Sequence, residues 1–382
     1  MATLLPFECR WGIMATGWIA SEFAKDLLAP PSTRNVSDIT HRLVAAASSS
    51  SLARASDFLS LLPCHAARAY GSYAALVSDP EVDVIYIATP HSHHFANAML
   101  ALKAGKNVLC EKPFTVNAPQ LEILMKEAKK RGLFLMEAVW TRCFPVSIEI
   151  RRLLKEGEIG VVKRTEARLD FCHEPLGEKY PGGEHRMVNP KLAGGALLDL
   201  GVYALTWVFQ TLYHDLPEEE KERSEPKTMG VMQMYPETGV DADNVVVLQF
   251  PHATGVASSS IFVSGDNAPS ARFLGTEGEI QVIGPAYRPE GYCVIRPGKE
   301  EKIVPCQIPG KGMFWEADEV ARCIRDGKLE SEIVPLNESL VIMRVMDTVR
   351  RQNRLRYPEE IETTVYDEER EDVLEILSGS AE

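Results

Sequence analysis

The chain has 382 residues, 45% hydrophobic and 25% charged, the proportions of a folded globular protein of about two domains. Its formal net charge is −13 with no basic block, which argues against nucleic acid and anionic membranes as partners. The N-terminus lacks the basic-then-apolar pattern of a signal peptide, no apolar run reaches the ~20 residues of a membrane span, and the eight cysteines form no C-x-x-C pair, so reduced thiols in a cytoplasmic protein are expected.

In chain order, Arg10 leads into an apolar run that ends in the small-residue turn Ala15-Thr16-Gly17-Trp18-Ile19-Ala20, and a helix is predicted over 21–28. Ala15, Gly17 and Ala20 take the three small positions of G-x-G-x-x-G/A, with alanine replacing the first glycine. Such a turn lets the backbone approach a pyrophosphate, and the helix N-terminus supplies N–H donors. Further strands are predicted at 42–47, 82–88, 107–110 and 133–136, with helices at 51–62, 73–77, 95–104 and 118–131. This alternation predicts βαβ units and a parallel sheet covered on both faces.

The character changes near Trp140. A helix is predicted at 146–156. Strands then dominate, at 161–171, 228–235, 244–250, 253–263, 272–274, 279–283 and 292–296, many alternating apolar and polar residues as an antiparallel sheet with one covered face does. One strong helix, 195–213, lies among them, a charge-rich loop fills 217–227, and helices at 314–326 and 336–352 close the fold. The expected fold class is α/β: a dinucleotide-binding domain over 1–139 with a doubly wound parallel sheet, then an α+β domain over 140–352 for substrate binding and dimerisation. An acidic tail, 353–382, is expected to be partly disordered.

The ends of the parallel strands carry the chemistry. After the second strand, where NAD enzymes place a carboxylate for the ribose 2′-hydroxyl, Ser48-Ser49-Ser50-Ser51 stands with Arg54 one helical turn on. Hydroxyls, a helix N-terminus and an arginine suit a 2′-phosphate, so Ser49, Ser50, Ser51 and Arg54 are expected to select NADP. The fourth strand delivers Thr89-Pro90-His91-Ser92-His93-His94. Three histidines in four residues could suggest a metal, but no cysteine or carboxylate lies nearby in sequence, and a turn lining the nicotinamide site is the preferred reading. The next strand delivers Cys110-Glu111-Lys112-Pro113, a lysine held by a stiff proline over the same crevice.

Several stretches together resemble the glucose–fructose oxidoreductase and inositol dehydrogenase (Gfo/Idh/MocA) family over about residues 10–349. They are Arg10-Trp11-Gly12-Ile13, Ala69-Tyr70-Gly71-Ser72-Tyr73, the run from Val108 to Pro113, the run from Leu133 to Arg142 and the run from Gly194 to Tyr203. Within the family they resemble the branch of dimeric dihydrodiol dehydrogenase and fungal NADP-dependent D-xylose dehydrogenase. The resemblance implies a Rossmann domain, a second domain with a large open sheet, and a homodimer formed through that sheet. It implies Lys112 as catalytic lysine and Tyr203 as catalytic tyrosine, with Trp140, Arg142 and Asp199 beside the substrate. Ala15, Thr16, Gly17, Trp18, Ile19, Thr89, Pro90, His91, His94, Glu111 and Lys112 would then lie along the cofactor. Trp18 is bulky where relatives carry a small or aliphatic residue, and Ser50 stands where some have a second arginine. Asp199 lies four residues before Tyr203, so the two are expected on one helical face.

The reaction implied is oxidation of a sugar hydroxyl, D-xylose at C1 to the lactone. Dihydrodiol oxidation is the alternative, and a non-catalytic NADP-binding regulator is the alternative of another class. A tyrosine with an ordinary pKa of about 10 is a poor base near neutrality, and a lysine ammonium nearby favours its phenolate.

Overall fold

The computed structural model describes residues 5–172, 180–263 and 269–367. The chain divides into two compact units. One takes the chain up to Ala138, Pro309–Leu336 and the stretch from Glu359; the other takes Val139–Ile308 and Asn337–Pro358. Of the expected acidic tail, residues 368–382 lie outside the described residues.

The first unit begins with β1 (Phe7–Met14), α1 (Trp18–Leu27), β2 (Ile39–Ala47), α2 (Leu52–Ser60), β3 (Arg68–Tyr70) and α3 (Tyr73–Val77). It continues with β4 (Val84–Ile87), α4 (His94–Lys103), β5 (Asn107–Glu111), α5 (Ala118–Arg131) and β6 (Leu135–Ala138). The strands form one parallel sheet in the order β3-β2-β1-β4-β5-β6. Every residue of β4 is buried, the continuous apolar run of a strand covered on both faces. Helix ends follow their capping residues. The Ser51 hydroxyl accepts from the Arg54 N–H, Ser72 from Ala75 and Asn117 from Gln120, and Gly132, at φ 65°, stops α5. The register sets Met14 beside Ala47 and Ile87, and Ile87 beside Cys110, so the carboxyl ends of four strands lie level. The order reverses at β1, which makes this edge the switch point of an open α/β sheet. Against expectation, α1 starts at Trp18 rather than at residue 21, because Gly17 already ends the turn in extended conformation. The three-residue β3 is too short to leave a strand pattern, and β6 begins two residues later than expected.

The second unit contains α6 (Pro145–Lys155), β7 (Val162–Asp170), α7 (Val202–Leu212), α8 (Glu218–Lys221), β8 (Lys227–Met234), β9 (Asp241–Gln249) and β10 (Thr254–Ser260). β11 (Ala271–Gly275), β12 (Glu279–Ile283), β13 (Gly291–Ile295) and β14 (Lys302–Pro305) follow. They build an eight-stranded sheet in the order β14-β13-β12-β11-β7-β10-β9-β8, antiparallel except where β10 meets β7. One face is covered by α7. A Cβ on Gly255 of β10 would lie 2.3 Å from Val208, and the Thr165 and Thr211 hydroxyls meet at 3.0 Å. The stretch Pro190–Leu212 is long and apolar enough to cross a membrane, contrary to the expectation that no run is. Its most apolar 18-residue window is wholly buried, as in the core helix of a globular protein.

The chain after β14 departs from the expected contiguous second domain. α9 (Phe314–Arg325) packs on α1, β1 and β2 of the first unit. The buried Asp26 carboxylate accepts from the N–H groups of Lys311, Gly312 and Met313 at 2.7–3.1 Å, capping the approach to α9. Arg34 grips Asp318 through two 2.7 Å bonds, and His41 meets the same carboxylate at 2.8 Å. α10 (Leu336–Gln352) lies along β8 of the second unit, where a Cβ on Gly230 would strike Val349 at 2.5 Å. α11 (Glu359–Glu362) belongs to the first unit, held by Gln120, whose amide donates to the Ile361 and Thr363 carbonyls.

Candidate active site

In the first unit the expected cofactor residues gather at the carboxyl edge of the sheet. Ala15 has φ 84°, a conformation that favours glycine, so the turn keeps the backbone geometry of the glycine it replaces. Gly17 is the N-cap of α1 and makes no side-chain cap. A Cβ on it would meet nothing within 4 Å, and the first-turn N–H groups of a helix have no intrahelical acceptors. Open space beside uncapped donors and a positive helix end fits a pyrophosphate. Trp18 stands outward at this helix start, 71% exposed, with Thr16 and Ile19 half-buried beside it.

At the end of β2 the serines and Arg54 are brought together. Ser48 and Ser50 hydroxyls meet at 2.9 Å, and Arg54 Nη1 donates to Ser50 Oγ at 3.3 Å. Ser51 caps α2, and Ser49 lies between them, half-buried. No carboxylate stands in residues 48–54, so the turn is hydroxyl-rich and cationic.

Three expected contacts turn out to have other tasks. His94 is fully buried, with Nδ1 2.8 Å from the Pro113 carbonyl and Nε2 2.9 Å from the Thr89 carbonyl. Burial pushes its pKa down to about 3, so the ring is neutral and its single proton serves one of those two carbonyls. It ties the turn after β4 to the turn after β5 and leaves no ring nitrogen for a cofactor. Glu111 is buried too. It accepts from the Tyr86 hydroxyl at 2.5 Å and from the Lys112 N–H at 3.2 Å, as a buried carboxylate must. It therefore braces the turn that carries Lys112. Arg142, expected beside the substrate, is 2% exposed and committed to Glu338 and to His214 Nδ1, the latter at 2.8 Å. A buried guanidinium cannot leave such partners without a large penalty. Thr89, Pro90 and His91 stay at the strand edge. Thr89 Oγ1 accepts from Asn97 at 3.0 Å, and the His91 ring lies edge-on to His94 at 5.8 Å. Lys112 is half-buried, and its peptide bond to Pro113 is cis.

The second unit supplies a phenol in an aromatic setting. Tyr203 opens α7 and is 7% exposed. Trp140 Nε1 donates to its oxygen at 2.9 Å. The Tyr287 ring lies 6.0 Å from both Tyr203 and Trp140, stacked on the latter, and Phe171 adjoins Tyr287 at 5.8 Å. The five residues before α7, Leu197–Gly201, are wound as a π-helix. Bonds from i to i+5 widen that turn, so the four-residue spacing of Asp199 and Tyr203 does not have the α-helical stacking expected of it. Asp199 accepts from Arg186 Nη1 at 3.1 Å. The start of the π-turn is capped by the fully buried Asp241, which accepts from the Leu197 N–H at 2.6 Å and from Asn244 at 3.0 Å, while burial pushes its pKa up to about 6. Gly195, at φ 124°, is required there because a Cβ would lie 2.2 Å from Asp241 Oδ1.

Sequence reasoning missed Arg186, Tyr287, Phe171, Asp241 and Glu338. Tyr287 sits in a turn between β12 and β13 with no motif around it, and Glu338 pairs with an arginine 196 positions away, so neither carries a local signal. Asp241 follows a Gly-Val pair at a strand start, a pattern with no functional reading of its own.

Residues 9–139 match the profile of an oxidoreductase family with an NAD-binding Rossmann fold, and residues 148–281 match the GFO/IDH/MocA C-terminal domain. The chain is similar to a D-xylose 1-dehydrogenase (NADP(+)) of Hypocrea jecorina, with 52% identity over 384 residues covering 96% of this chain and 97% of that one. It is similar to a trans-1,2-dihydrobenzene-1,2-diol dehydrogenase of Homo sapiens, with 36% identity over 361 residues covering 92% and 98%. Among solved structures, an NAD-binding oxidoreductase from Klebsiella pneumoniae superposes with a TM-score of 0.76 at 20% identity, covering 90% of this chain and 96% of that one. A 3-ketoreductase from Actinomadura kijaniata, solved with NADP and TDP-benzene, gives 0.73 at 24% identity, covering 91% and 97%. At those identities the likeness is one of fold.

Proposed function

The chain belongs to the GFO/IDH/MocA family of oxidoreductases, and from that premise we propose that it oxidises D-xylose at C1 to D-xylono-lactone. It is an NADP-dependent dehydrogenase acting on CH–OH groups. The observation that carries the substrate reading is the 52% identity, across nearly the whole of both chains, with an enzyme named for D-xylose and NADP(+). The aromatic setting of Tyr203 also suits a flat ring, which favours dihydrodiol oxidation as the second reading. Steady-state NADPH formation with a panel of aldoses and trans-diols tests both. A kcat/KM highest for D-xylose supports the first, and one highest for a diol replaces it with the second.

NADP, when bound, supplies the hydride acceptor. The chain supplies the rest. The turn from Ala15 to Ile19 and the N-terminus of α1 would hold the pyrophosphate, and Ser50, Ser51 and Arg54 the 2′-phosphate. Tyr203 is assigned to take the hydroxyl proton, and Lys112 to favour the phenolate and donate to the substrate oxygen. Arg54→Ala removes one charge-assisted bond, so NADP binding should weaken by about 1.5–3 kcal/mol while NAD binding changes little. Titrations of both cofactors check this, and equal loss for the two would refute the phosphate assignment.

A homodimer through the open sheet is part of the same reading. Gly230 of β8 faces Val349 of α10, so Met229 and Val231 point the other way, and each is 67% exposed. Val245 of β9 stands opposite Val231, and the pair forms an exposed apolar patch on that face. Light scattering at micromolar concentration should return the mass of two chains, and Val231→Glu should shift it toward one. A single-chain mass for the wild type contradicts the dimer. The eight cysteines are free thiols, which supports a reducing, cytoplasmic setting.

A further inference from the structure

We propose that the Trp140 indole N–H is a fixed donor to the Tyr203 phenolate, which makes Trp140 a positioning residue for proton removal; this rests on Tyr203 being the acid/base. Trp140 Nε1 lies 2.9 Å from Tyr203 Oη, and both residues are 7% exposed. An indole nitrogen only donates, so the phenol oxygen is the acceptor and its own proton points elsewhere. A donor held on that oxygen in a dry site favours the charged form.

The donor is held firmly. Trp140 opens a single 3₁₀ turn, Trp140–Cys143, each residue of which is buried. Thr141 Oγ1 donates to the Tyr287 carbonyl at 2.7 Å, and Ser147 Oγ donates to the Thr141 carbonyl at 2.6 Å. Arg142 reaches Glu338 at the start of α10 and His214 just past α7. Arg151 of α6 donates to the Arg142 carbonyl at 3.2 and 3.3 Å and to Gln210 Oε1 at 2.8 Å. Gln210 lies two turns along the helix that Tyr203 opens. The turn carrying the donor and the helix carrying the acceptor are thus bolted together at both ends, and a hydrogen bond between them needs no further ordering.

Several charged and titratable groups face Tyr203 or its contacts, with Tyr180 and His185 beyond the Asp199–Arg186 pair. The helical segment of Tyr203 itself brings Asp199, paired with Arg186, and the turn between β12 and β13 brings Tyr287. The 3₁₀ turn and α6 bring Arg142 and Arg151, engaged as above, with Glu338 and His214 behind them. β7 and β10 present Thr165, Gly255 and Ser259 to this helix, none of them charged. Lys112 is the partner assigned under the proposed function.

The test is the pH profile of substrate oxidation in the wild type and in Trp140→Phe, which keeps an aromatic ring, though a smaller one, and loses the N–H. The rising limb should move up by about one pH unit, with turnover below the limb falling about tenfold. An unmoved limb overturns the proposal. A second measurement does not depend on the variant folding. One of the five tryptophan indole N–H resonances of the nitrogen-labelled wild type should titrate with the midpoint of the activity limb, and should stop doing so in Tyr203→Phe. If none titrates, the proposal fails. An active Tyr203→Phe enzyme would instead overturn the acid/base assignment, whereas an inactive one with an unmoved Trp140→Phe limb overturns this proposal alone.

Discussion

Tyr203→Phe is expected to lower turnover by about 10²–10⁴-fold, the usual share of a positioned proton transfer. The substitution keeps the ring against Tyr287 and removes only the ionisable oxygen. NADP should bind almost as before, because the turn after β1 and the Ser50–Arg54 pair are untouched. Stability should fall by about 1–3 kcal/mol, since the buried Trp140 N–H loses its acceptor. Lys112→Met should also suppress turnover, and the double variant should be little worse than the worse single one, because groups that act as a unit are not additive. Steady-state kinetics beside a cofactor titration makes the comparison. Near-normal turnover in a folded Tyr203→Phe protein would defeat the assignment and turn attention to His91 or Asp199. His94 is a poor substitute, held neutral between two carbonyls.

Glu338→Ala is expected to cost about 3–5 kcal/mol, because it leaves the Arg142 guanidinium buried without its counter-charge. Burial alone would raise the Glu338 pKa, but the Arg142 charge, with His214 beside it, outweighs burial and holds it at about 2. That lies below the ordinary value of about 4.3 for an unfolded glutamate. The carboxylate therefore stabilises the fold fully above about pH 4.3, and the contribution is lost as pH falls toward about 2. Denaturant unfolding at neutral pH should show the full gap between wild type and variant, and the gap should narrow below about pH 4. A difference under about 1 kcal/mol at neutral pH would mean that Arg142 finds another partner.

The parts legible in the sequence were those with local causes. α5 was predicted at its observed bounds because Asn117 caps one end and Gly132 stops the other. The carboxyl edge of the parallel sheet was legible because β-branched runs end in small or polar turns there. Lys112 and Tyr203 were found through resemblance rather than spacing, since a lysine after a strand and a tyrosine on an apolar helix are common. The rest depends on contacts distant in sequence. Nothing around Arg142 announces Glu338, and nothing around His94 announces that the Pro113 carbonyl will meet it. The π-turn at Leu197–Gly201 reads as ordinary helix because its residues suit either winding. β3, of three residues, is too short for a period to register, and β14, at the sheet edge, is exposed at three of its four residues and so carries no alternation.

The return of α9 to the first unit bears on the order in which the protein can be made. β1, β2 and α1 leave the ribosome early, yet Asp26, Arg34 and His41 find their partners only when residues 311–318 have emerged. The whole of Val139–Ile308 is synthesised in between. At roughly 5–20 residues per second this delay is about ten seconds or longer. Through that interval the place of α9 beside α1, β1 and β2 is unfilled, and Asp26, Arg34 and His41 await the partners they have in the finished fold. A chain ended after residue 138 would therefore lack the partners of three of its buried polar side chains.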